Sequence, residues 1–154
     1  MAGLGVAAVL DQVTSHASSL GLFDTVNGHE PKSAPTGGAS GLTAAVWADA
    51  VDSISAGLAL TGSRLVFNIR LYTSMTAPPL DAIDPKIVDA VDQLMAAYNG
   101  AFTLNGLIRE VDVFGANGPG LSARAGYINQ DGKLMRVMTI TLPLIVNDVW
   151  TQTP

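Results

Sequence analysis

The sequence predicts an α/β fold of the α+β type, built as a single domain over residues 1–154. Three observations support this class. Two segments carry the three- and four-residue apolar spacing of helices, several others alternate as strands do, and the last quarter contains a β-hairpin signal. A length of 154 residues is enough for one domain with its own core.

The composition is unusually poor in charge. Charged residues make up 14% of the chain, against roughly a quarter in a soluble domain, while apolar residues make up 48%. We therefore expect part of the surface to be buried against other subunits. The net charge of −5 argues against a nucleic-acid reader, which normally carries a basic face. The absence of cysteine excludes a disulfide, a thiol nucleophile and a zinc–thiolate site.

The first half of the chain begins with a helical pattern. Over residues 4–19 the apolar positions are Val6, Val9, Leu10, Val13 and Ala17. The apolar start lacks the basic flank of a signal peptide and is too short for a membrane helix. A short extended piece at residues 23–26 and a turn at Asn27-Gly28 follow. Residues 29–41 contain two prolines and three glycines without periodicity, which predicts a long mobile loop.

The middle of the chain contains a strand and a second helix. The spacing of residues 42–54 fits both a helix and a strand, and their alanine-rich composition favours a helix. Residues 64–74 alternate, with Leu65, Phe67, Ile69 and Leu71 on one face, and we expect residues 55–60 to return to this strand through Thr61-Gly62. Asp84-Pro85 is typical of a capping residue followed by the first helical position, which predicts a helix over residues 86–98.

The last part of the chain predicts a strand, a loop and a hairpin. Residues 108–114 alternate as a strand, and residues 115–120 form a glycine- and proline-rich loop. Residues 121–129 and 133–146 are the two arms of the hairpin. Asp131-Gly132 between them suits a type I′ turn, because both central residues of that turn need a positive φ.

No residue pattern indicates catalysis. The chain has two histidines, His16 and His29, and neither lies near a serine motif that would suggest a nucleophilic triad. The glycine-rich run at residues 115–120 lacks the Lys-Ser/Thr of a phosphate-binding loop. The acidic pairs Asp81/Asp84 and Asp89/Asp92 are explained by the preference for acids near a helix N-terminus. We therefore predict that the chain is not an enzyme and has no catalytic, cofactor-binding or metal site.

The eight basic residues are scattered singly along the chain. Four arginines lie on predicted strands: Arg64, Arg70, Arg124 and Arg136. Two interpretations stay open. These side chains maintain solubility and pair with nearby acids, or they form bidentate salt bridges to acids on adjacent subunits, for which the guanidinium geometry is suited.

A series of short motifs follows this pattern in a particular order. They are Leu80-Asp-Ala-Ile-Asp-Pro85, Ala96-Ala-Tyr98, Phe102-Thr-Leu104, Ile108-Arg-Glu-Val-Asp112, Arg136-Val-Met-Thr-Ile-Thr-Leu-Pro143 and Asn147-Asp-Val-Trp150. In their order and spacing, the chain resembles tail terminator proteins of long-tailed, non-contractile (siphovirus-type) phages, above all those of actinobacterial phages. The resemblance covers residues 1–152 and is most specific over residues 80–150. The loop at residues 29–41 has no counterpart in it.

The resemblance implies a fold and a function. The fold is a mostly antiparallel sheet of about four to five strands with two main helices packed on it, and residues 42–54 are a strand. The function is that of a structural virion protein, a hexameric ring that caps the tail tube, stops tube polymerisation and provides the head–tail joining surface. Its partners are further copies of the chain, the major tail tube protein and the head–tail connector or neck protein. Genomic DNA passes through the lumen without specific binding, and no membrane is involved.

The implied location is the tail–neck junction of the virion, with the host cytoplasm as the site of assembly. Candidate contact residues are Arg64, Arg70, Tyr72, Arg124 and Arg136 on strands, with Lys32, Thr76, Pro78 and Pro79 in docking loops. Two alternatives stay open: another neck protein, such as a head-closure or tail-completion subunit, and a small-ligand-binding α+β domain.

Overall fold

The computed structural model describes residues 3–35, 41–55, 57–76 and 79–153. Its elements are α1 (Val6–Ser19), β1 (Thr25–Asn27), β2 (Thr43–Ser55), β3 (Leu60–Ser74), α2 (Ile83–Gly100), β4 (Glu110–Val111), β5 (Ser122–Gln130) and β6 (Lys133–Thr151). A 3-10 turn at Leu80–Ala82 leads into α2.

All described strands belong to one six-stranded sheet. The order is β1-β2-β3-β6-β4, and β5 pairs with β6 beside β4. Because β1 runs parallel to β2, the sheet is mixed. The prediction of a mostly antiparallel sheet of four to five strands was wrong, although the class is α+β. Extended segments were predicted at or near β1 and β4, but the count of four to five strands came from the resemblance. The local sequence does not set the direction of β1, which depends on the path of the following loop.

Several predicted elements are confirmed. α1 begins two residues later than expected, and β2 is the strand that the resemblance favoured. β5 and β6 form the terminal hairpin. At its turn, Asp131 has φ 52° and Gly132 has φ 75°, so both adopt the left-handed conformation that a type I′ turn requires.

Three local predictions were wrong. Thr61-Gly62 is not a turn, because β3 begins at Leu60 and Gly62 pairs with Ile54 of β2. Asp84 is not a helix cap, since α2 already begins at Ile83. The strand expected over residues 108–114 is limited to β4.

The two helices pack on one face of the sheet and form the main core. β3 contributes the alternating side chains that the sequence predicted, and β6 contributes the residues paired with them. This core contains Val9, Val13 and Ala17 of α1, Ile87, Leu94 and Tyr98 of α2, Leu65, Phe67, Ile69 and Leu71 of β3, and Met138, Ile140, Leu142 and Leu144 of β6. The Tyr98 hydroxyl donates a hydrogen bond to the Val13 carbonyl at 2.9 Å, which links α2 to α1.

The opposite face of the sheet, here called the second face, is also partly buried. Ala45, Tyr72, Met135 and Val137 form a smaller apolar cluster there, with Trp47 and Ile128 packed against it. Irregular residues 29–35 are tied to the hairpin beside this cluster, since the Pro31 carbonyl accepts a hydrogen bond from Gln130 Nε2 at 3.2 Å. β3 therefore has buried side chains on both faces, more than the one buried and one mixed face that its sequence indicated.

The central strands are much longer than the helices. At about 3.3 Å per residue, the 15 residues of β3 span roughly 50 Å and the 19 residues of β6 roughly 60 Å. The 18 residues of α2 span only about 27 Å. The two ends of the sheet are here called the β2–β3 tip, residues 50–55, 57–63 and 147–151, and the β5–β6 tip, residues 127–136.

Replacing Tyr98 with Phe tests the link between the helices. We expect the free energy of unfolding to fall by about 1 kcal/mol, because a buried hydrogen bond is lost while the ring is kept. Tyr127→Phe is the matched control, since that ring is 58% exposed. Urea unfolding followed by circular dichroism measures both. Equal losses in the two variants would contradict the role assigned to the Tyr98 hydroxyl.

Candidate interaction surface

The predicted contact residues fall into three environments. Arg64 and Tyr72 are buried, Arg70 and Arg136 are partly covered by neighbouring side chains, and Lys32, Thr76, Pro79 and Arg124 are exposed. Pro78 lies outside the described residues. The structure therefore does not gather these residues into one patch.

Arg64 is engaged inside its own chain. Its Nε lies 3.3 Å from Oδ2 of Asp112, with the two side chains 4% and 6% exposed, and its Nη2 donates to the Pro119 carbonyl. The Asp112 carboxylate also accepts hydrogen bonds from the backbone amides of Ala116 at 2.8 Å and Asn117 at 3.1 Å. Arg64 thus holds the loop of residues 112–120 on the second face, and its position does not support the predicted contact with a neighbouring subunit.

Glycines allow this loop to close around the ion pair. A Cβ at Gly118 would lie 2.9 Å from Arg64 Cζ, and a Cβ at Gly115 would lie 2.8 Å from the amide nitrogen of Gly120. Gly115 also has φ +76°, which a residue with a side chain rarely adopts. Sequence reasoning identified the loop but missed Asp112. The signal available was an acid three positions before the first of three closely spaced glycines.

The net electrostatic effect on Asp112 favours its charged form. Burial raises the pKa of Asp112, but the two amide hydrogen bonds and the Arg64 guanidinium outweigh it, so the pKa lies below the ordinary value. Removing one member of such a pair leaves the other charge buried without a partner, which is strongly destabilising.

Arg70 and Tyr72 lie side by side on the second face. The Arg70 guanidinium lies 5.1 Å from the centre of the Trp47 ring, its Nε donates to Thr139 Oγ1 at 3.0 Å, and its Nη1 lies 3.9 Å from Glu30 Oε1. Tyr72 is 1% exposed, and its burial raises the pKa of its hydroxyl although Arg70 acts in the opposite direction. Arg70 can therefore meet a partner only at its remaining exposed edge, and Tyr72 is part of the fold.

Arg136 lies on the helix side of the sheet, opposite to Arg70. Its Nε and Nη2 bind the two carboxylate oxygens of Asp84 at 2.9 and 3.4 Å, and its guanidinium lies 4.4 Å from the centre of the Tyr127 ring. These contacts attach the β5–β6 tip to the first turn of α2. The alternation of β6 places Arg136 and the residue paired with Arg70 on different faces.

The remaining predicted residues are exposed. Arg124 lies on β5, and no carboxylate in the described part of the chain pairs with it. Lys32 lies in the irregular segment 29–35, where the amide of Ala34 donates to Asp131 Oδ2 at 3.1 Å. Thr76 contacts the Ser74 hydroxyl at 3.2 Å, and Pro79 precedes the 3-10 turn. The predicted mobility of residues 29–41 stays a prediction, and residues 36–40 lie outside the described part.

Sequence reasoning missed the large apolar side chains that project at the two tips. Leu58 is fully exposed and Val51 is 50% exposed at the β2–β3 tip, together with Trp150. Tyr127 and Leu134 are about half exposed at the β5–β6 tip. With a turn predicted at Thr61-Gly62, Leu58 was expected within a strand, so its full exposure between β2 and β3 was not predicted.

A cleft of about 640 Å³ lies between the end of β3, the β5–β6 tip and α2. The residues that line it include Thr43, Tyr72, Thr76, Lys86 and Lys133. Two lysines therefore border this space.

Within the described ranges, no three His, Asp or Glu side chains are grouped closely enough to hold a metal ion. In the same part of the chain, no helix combines the length and the apolar character needed to cross a bilayer. No protein-family model matches the chain, and no match is found among curated proteins.

Replacing Asp112 with Asn tests the buried pair. At pH 7 we expect the free energy of unfolding to fall by about 3 kcal/mol, because Arg64 loses its counter-charge. The folded pKa of Asp112 is lowered, so its contribution is complete above the unfolded-state value near 4 and is lost as pH falls through the folded pKa. The difference between wild type and Asp112→Asn should therefore shrink as pH is lowered from 7 to 3.

The measurement is urea unfolding at a series of pH values, with Asp81→Asn as the control because Asp81 is exposed. We expect that control to follow the wild type at every pH. A difference for Asp112→Asn that stays constant down to pH 3 would refute the electrostatic role of this carboxylate.

Proposed function

We propose that this chain is a structural virion subunit of the tail terminator type. Copies of it form a ring that caps the phage tail tube, stops tube polymerisation and offers the surface on which the head joins the tail. The proposal starts from the resemblance of residues 80–150, and one feature of the structure supports it.

The observation that carries the proposal is the pair of apolar tips at opposite ends of one sheet. β3 and β6 are paired antiparallel over the whole distance between the β5–β6 tip and the β2–β3 tip. The exposed side chains of Leu58 and Leu134 therefore lie at opposite ends of the molecule. Contiguous exposed apolar surface is typical of interaction sites. A subunit that joins a tube on one side to a connector on the other needs two such surfaces facing in opposite directions.

The charge balance is compatible with passage of DNA. Each copy carries a net charge of −5. An acidic wall repels phosphates, so a ring of such copies favours transit of DNA over its retention.

Tube length is the property that tests the proposal. Purified chain added to polymerising tail tube protein should yield shorter tubes, each blocked at one end, as measured by negative-stain electron microscopy. Leu58→Asp and Leu134→Asp should each abolish capping, because a charge replaces an apolar contact. Val88→Asp is the matched control, since Val88 is 50% exposed, close to the 46% of Leu134, but lies on α2.

Tubes of unchanged length in the presence of the wild-type chain would overturn the terminator assignment. If the same chain were then needed to join finished tails to heads, it would be a head-closure or tail-completion subunit. Loss of capping in Val88→Asp as well as in the tip variants would show that the tips have no special part.

The cleft beside Lys86 and Lys133 favours a second candidate function, binding of a small anionic molecule. That function predicts a melting temperature that rises with the concentration of a phosphorylated or carboxylated compound. Lys86→Ala with Lys133→Ala should remove the rise, and a melting temperature independent of a panel of such anions would exclude this function.

A further inference from the structure

The sheet has two open edges on opposite sides. β5 forms one edge over Ser122–Gln130 and, among the described residues, pairs only with β6. On the other side β1 pairs with Thr43, Ala44 and Ala45 of β2, so the outer edge of residues 46–55 has no strand partner in the described part of the chain. Open edges present unpaired amides and carbonyls and are templates for another strand.

The charges on the two edges are complementary. Residues 46–55 of β2 contain Asp49 and Asp52 and no basic residue, whereas β5 contains Arg124 and no acid. All three side chains are exposed, and within the described residues none of them takes part in an ion pair. Arg64 lies opposite Asp52 in the β2–β3 ladder, but its guanidinium binds Asp112 instead. Arg124 is thus the single arginine of the described chain without a carboxylate partner.

The strand directions allow the two edges to meet. β2, β3, β6 and β5 alternate in direction across the sheet. A copy related by rotation about an axis along the strands keeps the direction of its own β2. That β2 is consequently antiparallel to the β5 beside which it is placed.

One register of β5 on β2 matches the lengths of the two edges, keeps Arg124 and Asp52 on the same face and sets their opposite charges against each other. Asp52 is aligned with Arg64 and Ile145, and Arg124 with Thr139, which places both charged side chains on the second face. Setting Arg124 opposite Asp52 brings Ala125 opposite Val51 on the other face. The nine residues of β5 then reach to about Val46, next to the point where β1 stops pairing at Ala45.

We propose that β5 of one copy pairs antiparallel with β2 of the next copy, with Arg124 opposite Asp52. Pairing of β2 with β2 or of β5 with β5 would bring like charges together, which is unfavourable across strands. The contact is therefore head-to-tail, and such contacts form rings when the rotation closes. The inference rests on the proposed function, from which the ring is taken, and it identifies the β2 and β5 edges as the two surfaces through which neighbouring copies join.

Charge exchange on the full-length chain tests this pairing. The variant Asp49→Arg with Asp52→Arg has two positive edges, and Arg124→Asp has two negative edges. We expect each variant alone to be monomeric and an equimolar mixture to recover the assembly of the wild type, with the two variants alternating. Light scattering on a sizing column gives the masses, and native mass spectrometry gives the ratio. Asp81→Arg, which changes an exposed acid away from both edges, should assemble like the wild type.

A second measurement uses the absence of cysteine from the chain. Val51→Cys with Ala125→Cys, oxidised in solution and on capped tail tubes, should give a ladder of disulfide-linked copies. Either single variant should give none beyond a dimer. The pairing would be overturned if the separate charge variants assembled like the wild type, or if the double-cysteine variant gave no ladder.

The two proposals fail in different ways. Capping of tubes without a ladder would leave the terminator function standing and remove the β2–β5 contact. A ladder and a ring without any effect on tube length would leave the contact standing and remove the terminator function.

Discussion

The pairing of β3 with β6 is the constraint on which the rest of the molecule depends. It runs from Leu60 opposite Thr151 to Ser74 opposite Met135. This ladder aligns the apolar rows that receive both helices, and its two ends belong to the β5–β6 tip and the β2–β3 tip. Because side chains alternate along a strand, the same register also decides which polar residues lie on the helix side and which lie on the second face.

The two faces use their few charges differently. On the helix side Arg136 binds Asp84 and ties the hairpin to α2. On the second face Arg64 binds Asp112 under a glycine-rich loop, where burial makes each charge costly unless it is paired. With only 14% charged residues, most arginines are thus committed to holding the chain together. The charges left exposed on the sheet edges are few, so each has a large influence on which edges can meet.

Sequence patterns predicted the structure correctly where neighbouring residues alone determine the backbone conformation. The hairpin followed from Asp131-Gly132, because the backbone requirement of that turn is satisfied by two adjacent residues. Tertiary partners overrode the pattern elsewhere. Asp84 binds Arg136, 52 residues away, and does not cap the helix. Gly62, which the sequence indicated as part of a turn, instead pairs within β3 with a residue of β2. Arg64 resembled a surface residue in sequence because its partner Asp112 lies 48 positions later.

Open edges on a long sheet carry a risk of unspecific association, and the sequence counters it in two ways. The extra residue near Asp49 interrupts the β2–β3 register and breaks the regularity of that edge. The acidic side chains of β2 and the single arginine of β5 make each edge a poor partner for itself. Because like charges oppose pairing of β2 with β2 and of β5 with β5, only the pairing of β2 with β5 is favoured. In that mode of association every copy uses two different surfaces. A closed ring of copies then covers both of these edges in every copy, whereas an open chain always leaves one edge of each kind uncovered.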